Sequence, residues 1–194
     1  MSREAILKEV LKNQPALLPL PNIDILQGEY DKIEELKKWL DVLHITVHEV
    51  PDYAAIKTIL KEEVPTNLRT VTTIPELSAT AVLIEGIKEN AHLLENVELA
   101  IIPAHFGVAE NGAMWITDSL IQYRVLPFIT QQLAVVVNKK DIVYNMHQAY
   151  ERIAGTQYDF GVFIAGPSKT ADIEQSLVLG AHGPKGMIVF LVGE

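Results

Sequence analysis

The sequence contains no cysteine. That absence excludes disulfides, cysteine nucleophiles and iron–sulfur ligation by the chain's own thiolates, and it is compatible with a reducing cytosol. Positive charge is also scarce: 16 Lys and Arg face 25 Asp and Glu, for a formal net charge of −9. A balance this negative repels phosphates everywhere except at a local cluster, so no nucleic-acid partner is expected. No uninterrupted apolar run reaches about 18 residues, so no membrane span is expected. Met1-Ser2-Arg3-Glu4 opens a charged amphipathic pattern in place of an apolar signal core, and a cytoplasmic chain is expected. The dinucleotide G-x-G-x-x-G, the phosphate-binding P-loop lysine motif and the glycine-serine elbow of hydrolases are all missing. No cofactor is expected, neither flavin nor nicotinamide.

What is present is a chain of 194 residues, 48% hydrophobic, enough for one domain with a sizeable core. Residues 1–27 read as a helical extension and arm. Ser2 can cap a helix of roughly ten residues carrying Ile6, Leu7, Val10 and Leu11 at helical spacing. Pro15, Pro19 and Pro21 then break it into an extended Leu/Pro-rich stretch. Residues 28–194 read as the α/β domain proper. Helix is expected from about Tyr30 to Leu40, from Asp52 to Glu63 and from Asp141 to Arg152. Strands are expected at Leu43–Val50, Thr70–Thr73, Val97–Pro103, Gly112–Thr117, Leu133–Val137, Phe160–Ala165 and Met187–Val192. Strands alternating with helices, several apolar on both faces, point to a largely parallel sheet.

Two polar clusters stand out. The first, Gly166-Pro167-Ser168-Lys169-Thr170-Ala171-Asp172-Ile173-Glu174, runs on to Ala181-His182-Gly183-Pro184 between two apolar strands. Loops positioned by a rigid sheet concentrate binding groups. Lys169 can hold a phosphate or carboxylate as a point charge, and Ser168, Thr170, Asp172 and Glu174 surround it with hydroxyls and carboxylates. His182 can serve as an acid–base group. The plainer alternatives are a Ser168 or Thr170 helix cap, a solvated lysine, and a histidine that only shapes the loop. The second cluster is Ala104-His105-Phe106-Gly107-Val108-Ala109-Glu110-Asn111-Gly112, beyond the carboxyl end of the Val97–Pro103 strand, where open α/β sheets bind ligands. Gly107 and Gly112 flank Glu110 and allow close backbone approach to a ligand. The Glu110 carboxylate can be a base, a nucleophile or an acceptor. The alternative is a solvated hairpin turning at Asn111-Gly112. His44 and His48 have the spacing of a helical metal pair, but on a strand four residues span about 13 Å, too far for one ion, so no metal site is expected.

GPSKTADIEQSLVLGAHGP, followed by a terminal apolar strand, closely resembles the LUD-domain family, and within it the lactate utilization protein C group. AHFGVAENGAMWIT resembles a second family segment, with Asn111 where threonine is common. Arg124 with Leu126-Pro127 and the Leu133–Val137 strand form a weaker third match, so the likeness covers about the C-terminal half. The resemblance implies a Rossmann-like three-layer α/β/α sandwich of the ribose-phosphate isomerase and coenzyme A transferase superfamily. It further implies a role in oxidising L-lactate to pyruvate beside iron–sulfur subunits, and the Lys169 loop would then hold a small carboxylate or phosphate ligand. By analogy with coenzyme A transferases, Glu110 corresponds to the carboxylate that forms a thioester. The residues leave three functions open: a substrate-handling subunit of a lactate-oxidising complex, a stand-alone enzyme of the same superfold, and a non-catalytic binding module.

Overall fold

The structure is a computed structural model that describes residues 2–19, 30–84, 91–170, 178 and 180–193. The first helix, α1 (Arg3–Lys12), is capped by Ser2, whose hydroxyl accepts from the Ala5 N–H at 3.3 Å. None of its residues is buried. The chain then builds α2 (Lys32–Val42), capped by Asp31; β1 (Thr46–Val50); α3 (Tyr53–Glu63), capped by Asp52; and β2 (Thr70–Thr72). A 3-10 turn (Pro75–Leu77) leads to β3 (Val82–Leu83), and β4 (Leu99–Pro103) follows. Next come β5 (Phe106–Val108), β6 (Met114–Thr117), two single-turn helices α4 (Asp118–Ile121) and α5 (Leu126–Ile129), and β7 (Gln132–Asn138). The last elements are β8 (Ile142–Val143), α6 (Met146–Ile153), β9 (Gly161–Ile164) and β10 (Gly186–Val192).

Six strands form one sheet in the order β1-β10-β7-β4-β2-β3, and every neighbouring pair is parallel. Side-chain alternation sends each central strand's residues into two different cores. On one face Leu99, Ile101, Ala134, Val136, Phe190 and Val192 pack against Ile56 and Leu60 of α3 and Leu77 of the 3-10 turn. On the other face Ala100, Ile102, Leu133, Val135, Val137, Val189 and Leu191 pack against Leu36 and Leu40 of α2 and against Met114, Ile116 and Ile142. Leu36 and Leu40 are fully buried, which stabilises the α2 contact by about 1.5–3 kcal/mol for each side chain. The largely parallel sheet with helices on both faces is the architecture the patterning predicts.

The second sheet was not legible in the pattern. Its order is β8-β5-β6-β9, with antiparallel β5/β6 and β6/β9 pairs and a parallel β5/β8 pair. It lies against the α2 side of the large sheet, and its outer face packs Phe106, Val108 and Trp115 onto Ala149 of α6. The expected helix from Asp141 to Arg152 is correspondingly shorter. Ile142 and Val143 pair with Gly107 and Val108, so helix begins only at Met146, where Asn145 accepts from the Gln148 N–H. Phe160–Ala165, expected to be a buried strand, is strand only over Gly161–Ile164 and is half-buried there.

Gly161 lies directly beneath the Trp115 indole, and a methyl group there would collide with the ring. Gly161→Ala is therefore expected to destabilise the protein by about 1–3 kcal/mol through overpacking, measured as a lower urea midpoint with unchanged m-value.

Candidate functional site: two clusters at opposite ends of the parallel sheet

A parallel sheet has one amino end and one carboxyl end, and the two sequence clusters can be placed by what they touch. Residues 180–184 lead into β10 at Gly186, so they lie at the amino end. Leu43, just before β1, lies there too. A Cβ built on Gly166 would sit 3.6 Å from Leu43 Cβ, and one on Gly112 would sit 3.0 Å from Leu43 Cδ1. The Gly112 loop and the Gly166 loop therefore converge on Leu43. The reason is the reversal at His105: its N–H donates to the Trp115 carbonyl at 2.9 Å, and β5 then carries the chain back toward the amino end. Glu110 thus does not stay beyond the carboxyl end of β4, where the sequence places it.

At this amino end the polar groups are held by backbone. Lys169 Nζ donates to the Leu43 carbonyl at 3.3 Å, a cation at the C-terminus of α2 where the helix dipole favours it. The Ser168 N–H donates to the Pro184 carbonyl at 2.8 Å, and the Gly180 N–H donates to the Ser168 carbonyl at 2.9 Å. The His182 N–H donates to Ser168 Oγ at 3.4 Å, and the Val178 N–H donates to Thr170 Oγ1 at 3.1 Å. These bonds tie the two arms of the loop into a neck. The His182 and Lys169 side chains are exposed. Asp172 and Glu174 lie outside the described residues.

Glu110 Oε1 accepts from the Met146 N–H at 2.7 Å, in the first turn of α6, and the Glu110 N–H donates to the Tyr144 carbonyl at 3.1 Å. Burial and then the Glu110 charge raise the pKa of the neighbouring Tyr30 phenol. The hairpin reading of Asn111-Gly112 describes the backbone well. Asn111 Oδ1 accepts from the Ala113 N–H at 3.0 Å, and Gly112 adopts φ +71°. The turn is packed rather than solvated, since Gly112 is buried against Leu40 and Leu43. Gly107 is likewise buried, with Ile142 Cδ1 and Met114 Sδ within 3.0 Å of a Cβ built there. Among the described residues no hydrogen bond or ion pair links Glu110 to His182.

The carboxyl end holds a cluster that sequence reading missed. His105 Nε2 lies 2.7 Å from Thr117 Oγ1, which lies 2.7 Å from Ser119 Oγ. The chain of three groups faces a cleft of about 220 Å³ walled also by Phe106, Trp115, Arg152 and Tyr158. His105 belongs to the quoted cluster, but its partners are twelve and fourteen positions away, and only the β5/β6 pairing joins them. Partial burial, and then the Arg152 charge, lower the His105 pKa.

A family model described as the LUD domain matches residues 33–192. The chain belongs to the LUD-domain family. Lactate utilization protein C of Bacillus pumilus (strain SAFR-032) is 31% identical to this LUD domain over 113 residues, covering 55% of this chain and 47% of that protein. Lactate utilization protein C of Oceanobacillus iheyensis is 29% identical over 111 residues, 54% of this chain and 48% of that protein. The protein YkgG of Escherichia coli is 26% identical over 110 residues, again 54% and 48% of the two chains. The matched part of this LUD domain thus spans about half the length of these curated relatives. A crystal structure of a DUF162 family protein from Deinococcus radiodurans superposes with a TM-score of 0.64, covering 84% of this chain and 96% of the other at 15% identity, which shows a shared fold.

Because the folded pKa of His105 is depressed, the folded state takes up this proton at lower pH than the unfolded chain does. Stability contributed by neutral His105 is complete above the ordinary imidazole value of about 6.5 and is lost as pH falls below it. His105→Gln, which keeps a hydrogen-bonding side chain and cannot charge, is expected to reduce the loss of stability between neutral and mildly acidic pH, read by urea unfolding across that range.

Proposed function

We propose that this LUD domain acts in lactate utilization as the component without an iron–sulfur cluster, in a system that oxidises L-lactate to pyruvate. The observation that carries the reading is the match to lactate utilization protein C, 31% identical over 113 residues. The composition supports the division of labour. Oxidation of lactate releases an electron pair, and a chain without cysteine supplies no thiolate ligand for a cluster to receive it. Iron–sulfur partner subunits take the electrons, and this chain handles the small acid.

In this reading the neck of the 166–184 loop binds a small carboxylate or phosphate. The Lys169 ammonium has three donors and uses one on the Leu43 carbonyl, so it can share the others with an anion while the helix carbonyl holds it in place. Ser168 and Thr170 keep the neck closed, and exposed His182 supplies acid–base function beside it. Glu110 has one oxygen on the Met146 N–H and offers the other to chemistry near the same Leu43 surface.

The test is growth on L-lactate of a Bacillus strain lacking its own lactate utilization protein C. Wild type is expected to restore growth and to co-purify with iron–sulfur partners. Glu110→Gln combined with Lys169→Ala is expected to slow growth clearly, because each change removes a charged hydrogen-bonding group worth about 1.5–3 kcal/mol. Normal growth of the double variant would remove the amino-end loop from the reading. No restoration by wild type would remove the lactate role. Turnover of acyl-coenzyme A or sugar phosphates by the isolated chain would favour a stand-alone enzyme of the superfold.

A further inference from the structure

The cleft at the carboxyl end of the sheet has properties that the amino-end loop lacks. Its volume, about 220 Å³, lies below the roughly 300–1,000 Å³ of pockets for drug-sized ligands, which favours a molecule of a few heavy atoms over a nucleotide or coenzyme A. One wall is polar, with His105, Thr117 and Ser119 in a continuous hydrogen-bonded line. Another is cationic. Arg152 stacks 4.9 Å over the Phe106 ring, and its Nη2 donates to Asp141 Oδ1 at 2.7 Å, so the guanidinium is fixed in place. A third wall is apolar, formed by Trp115, Phe106 and Ile153, and Thr156, Gln157 and Tyr158 complete the lining. A pocket with a fixed cation, a hydroxyl line and an apolar wall suits a short acid with a polar α-substituent and a small alkyl group.

The rim carries backbone strain. Gln122 has φ 54° and ψ −45°, a region that non-glycine residues rarely occupy, and the Tyr123 N–H donates to the Ile121 carbonyl across it in a tight γ-turn. Gln122 lines a shallow outer depression that shares Ser119, Gln157 and Tyr158 with the cleft, and Arg124 pairs there with Asp118 at 3.2 Å. The position also follows the general rule that open α/β sheets receive ligands beyond the carboxyl ends of their strands.

We propose that this cleft is a binding site for a small 2-oxo or 2-hydroxy monocarboxylate, with the carboxylate on Arg152, the α-oxygen on Ser119 and the alkyl group against Trp115. The choice of acid rests on the lactate reading above; the existence of an anion site rests on the cleft alone. His105 does not touch the ligand. It orders the line of hydroxyls through Thr117: when Nε2 carries the proton, Thr117 accepts from it and donates to Ser119, which leaves the Ser119 hydroxyl proton free for the ligand. His105 and Thr117 are positioning residues.

The experiment is an NMR titration of the full chain with pyruvate, L-lactate, inorganic phosphate and coenzyme A, observing the Trp115 indole N–H and the His105 ring. Pyruvate or lactate is expected to shift both signals saturably. Ser119→Ala, a small exposed change, is expected to weaken binding about tenfold through loss of a hydrogen bond to the neutral α-oxygen, and Arg152→Lys by at least as much through loss of a hydrogen bond to the carboxylate. His105→Gln fixes a donor toward Thr117 and is expected to keep binding while flattening its pH dependence, which a purely structural histidine would not do. Absence of saturable shifts in wild type would overturn the site. So would shifts unchanged in both Ser119→Ala and Arg152→Lys, whereas phosphate binding as well as the acids do would overturn the choice of a 2-oxo or 2-hydroxy acid. Binding at Ser119 with no rescue of lactate growth would remove the pathway and leave the site standing. Rescue of growth without binding would remove the site and leave the pathway.

Discussion

The structure depends on the parallel pairing of β4, β7 and β10, three strands buried on both faces. Parallel strands all enter from one end and leave from the other, so every connection must begin at the carboxyl end and finish at the amino end. Here that constraint sorts the polar residues. The segments that precede β1 and β10 gather at the amino end around Leu43, and the segment that follows β4 starts at the carboxyl end with His105. The core tolerates this arrangement because each central strand gives alternate residues to two separate apolar layers, one closed by α3 and the other by α2 and the small sheet.

The small sheet sets the distance between the two clusters. Residues between β4 and β7 leave the large sheet, fold back as β5, turn at Asn111-Gly112 and return as β6. The return brings Thr117 and Ser119 beside His105. The turn places Glu110 at the start of α6, on the first-turn N–H of Met146. One hairpin therefore carries a carboxylate to one end of the domain and leaves an imidazole at the other. Glu110 and Lys169 each stabilise a helix terminus, Glu110 at the start of α6 and Lys169 at the end of α2. A group that stabilises a helix end can also meet a ligand, since both uses draw on the same charge.

Acid-rich composition and local sites coexist without conflict. The chain is net negative, yet its carboxyl-end cleft has Arg152 on its wall, paired with Asp141, and Arg124 at its rim, paired with Asp118 and Asp159. A fixed, half-neutralised guanidinium keeps directional donors while the surrounding negative field discourages indiscriminate anion binding.

Much of the large sheet was legible along the chain. The runs at Val97–Pro103, Leu133–Val137 and Met187–Val192 are apolar on both faces, and that pattern belongs to central parallel strands. The cap at Ser2 also matches its local sequence, because a cap is a contact over three residues. The two-residue strand β8 was hidden inside an apparent helix, since Ile142 and Val143 are strand only through their pairing with Gly107 and Val108. Sequence by itself determined the family, the parallel α/β class and the polar character of the 104–112 and 166–184 segments. Tertiary structure alone decided that Glu110 and Lys169 lie at the amino end and that His105, Thr117 and Ser119 form one line. Those relations are hydrogen bonds and packing contacts between residues far apart in the chain, and local spacing carries no record of them.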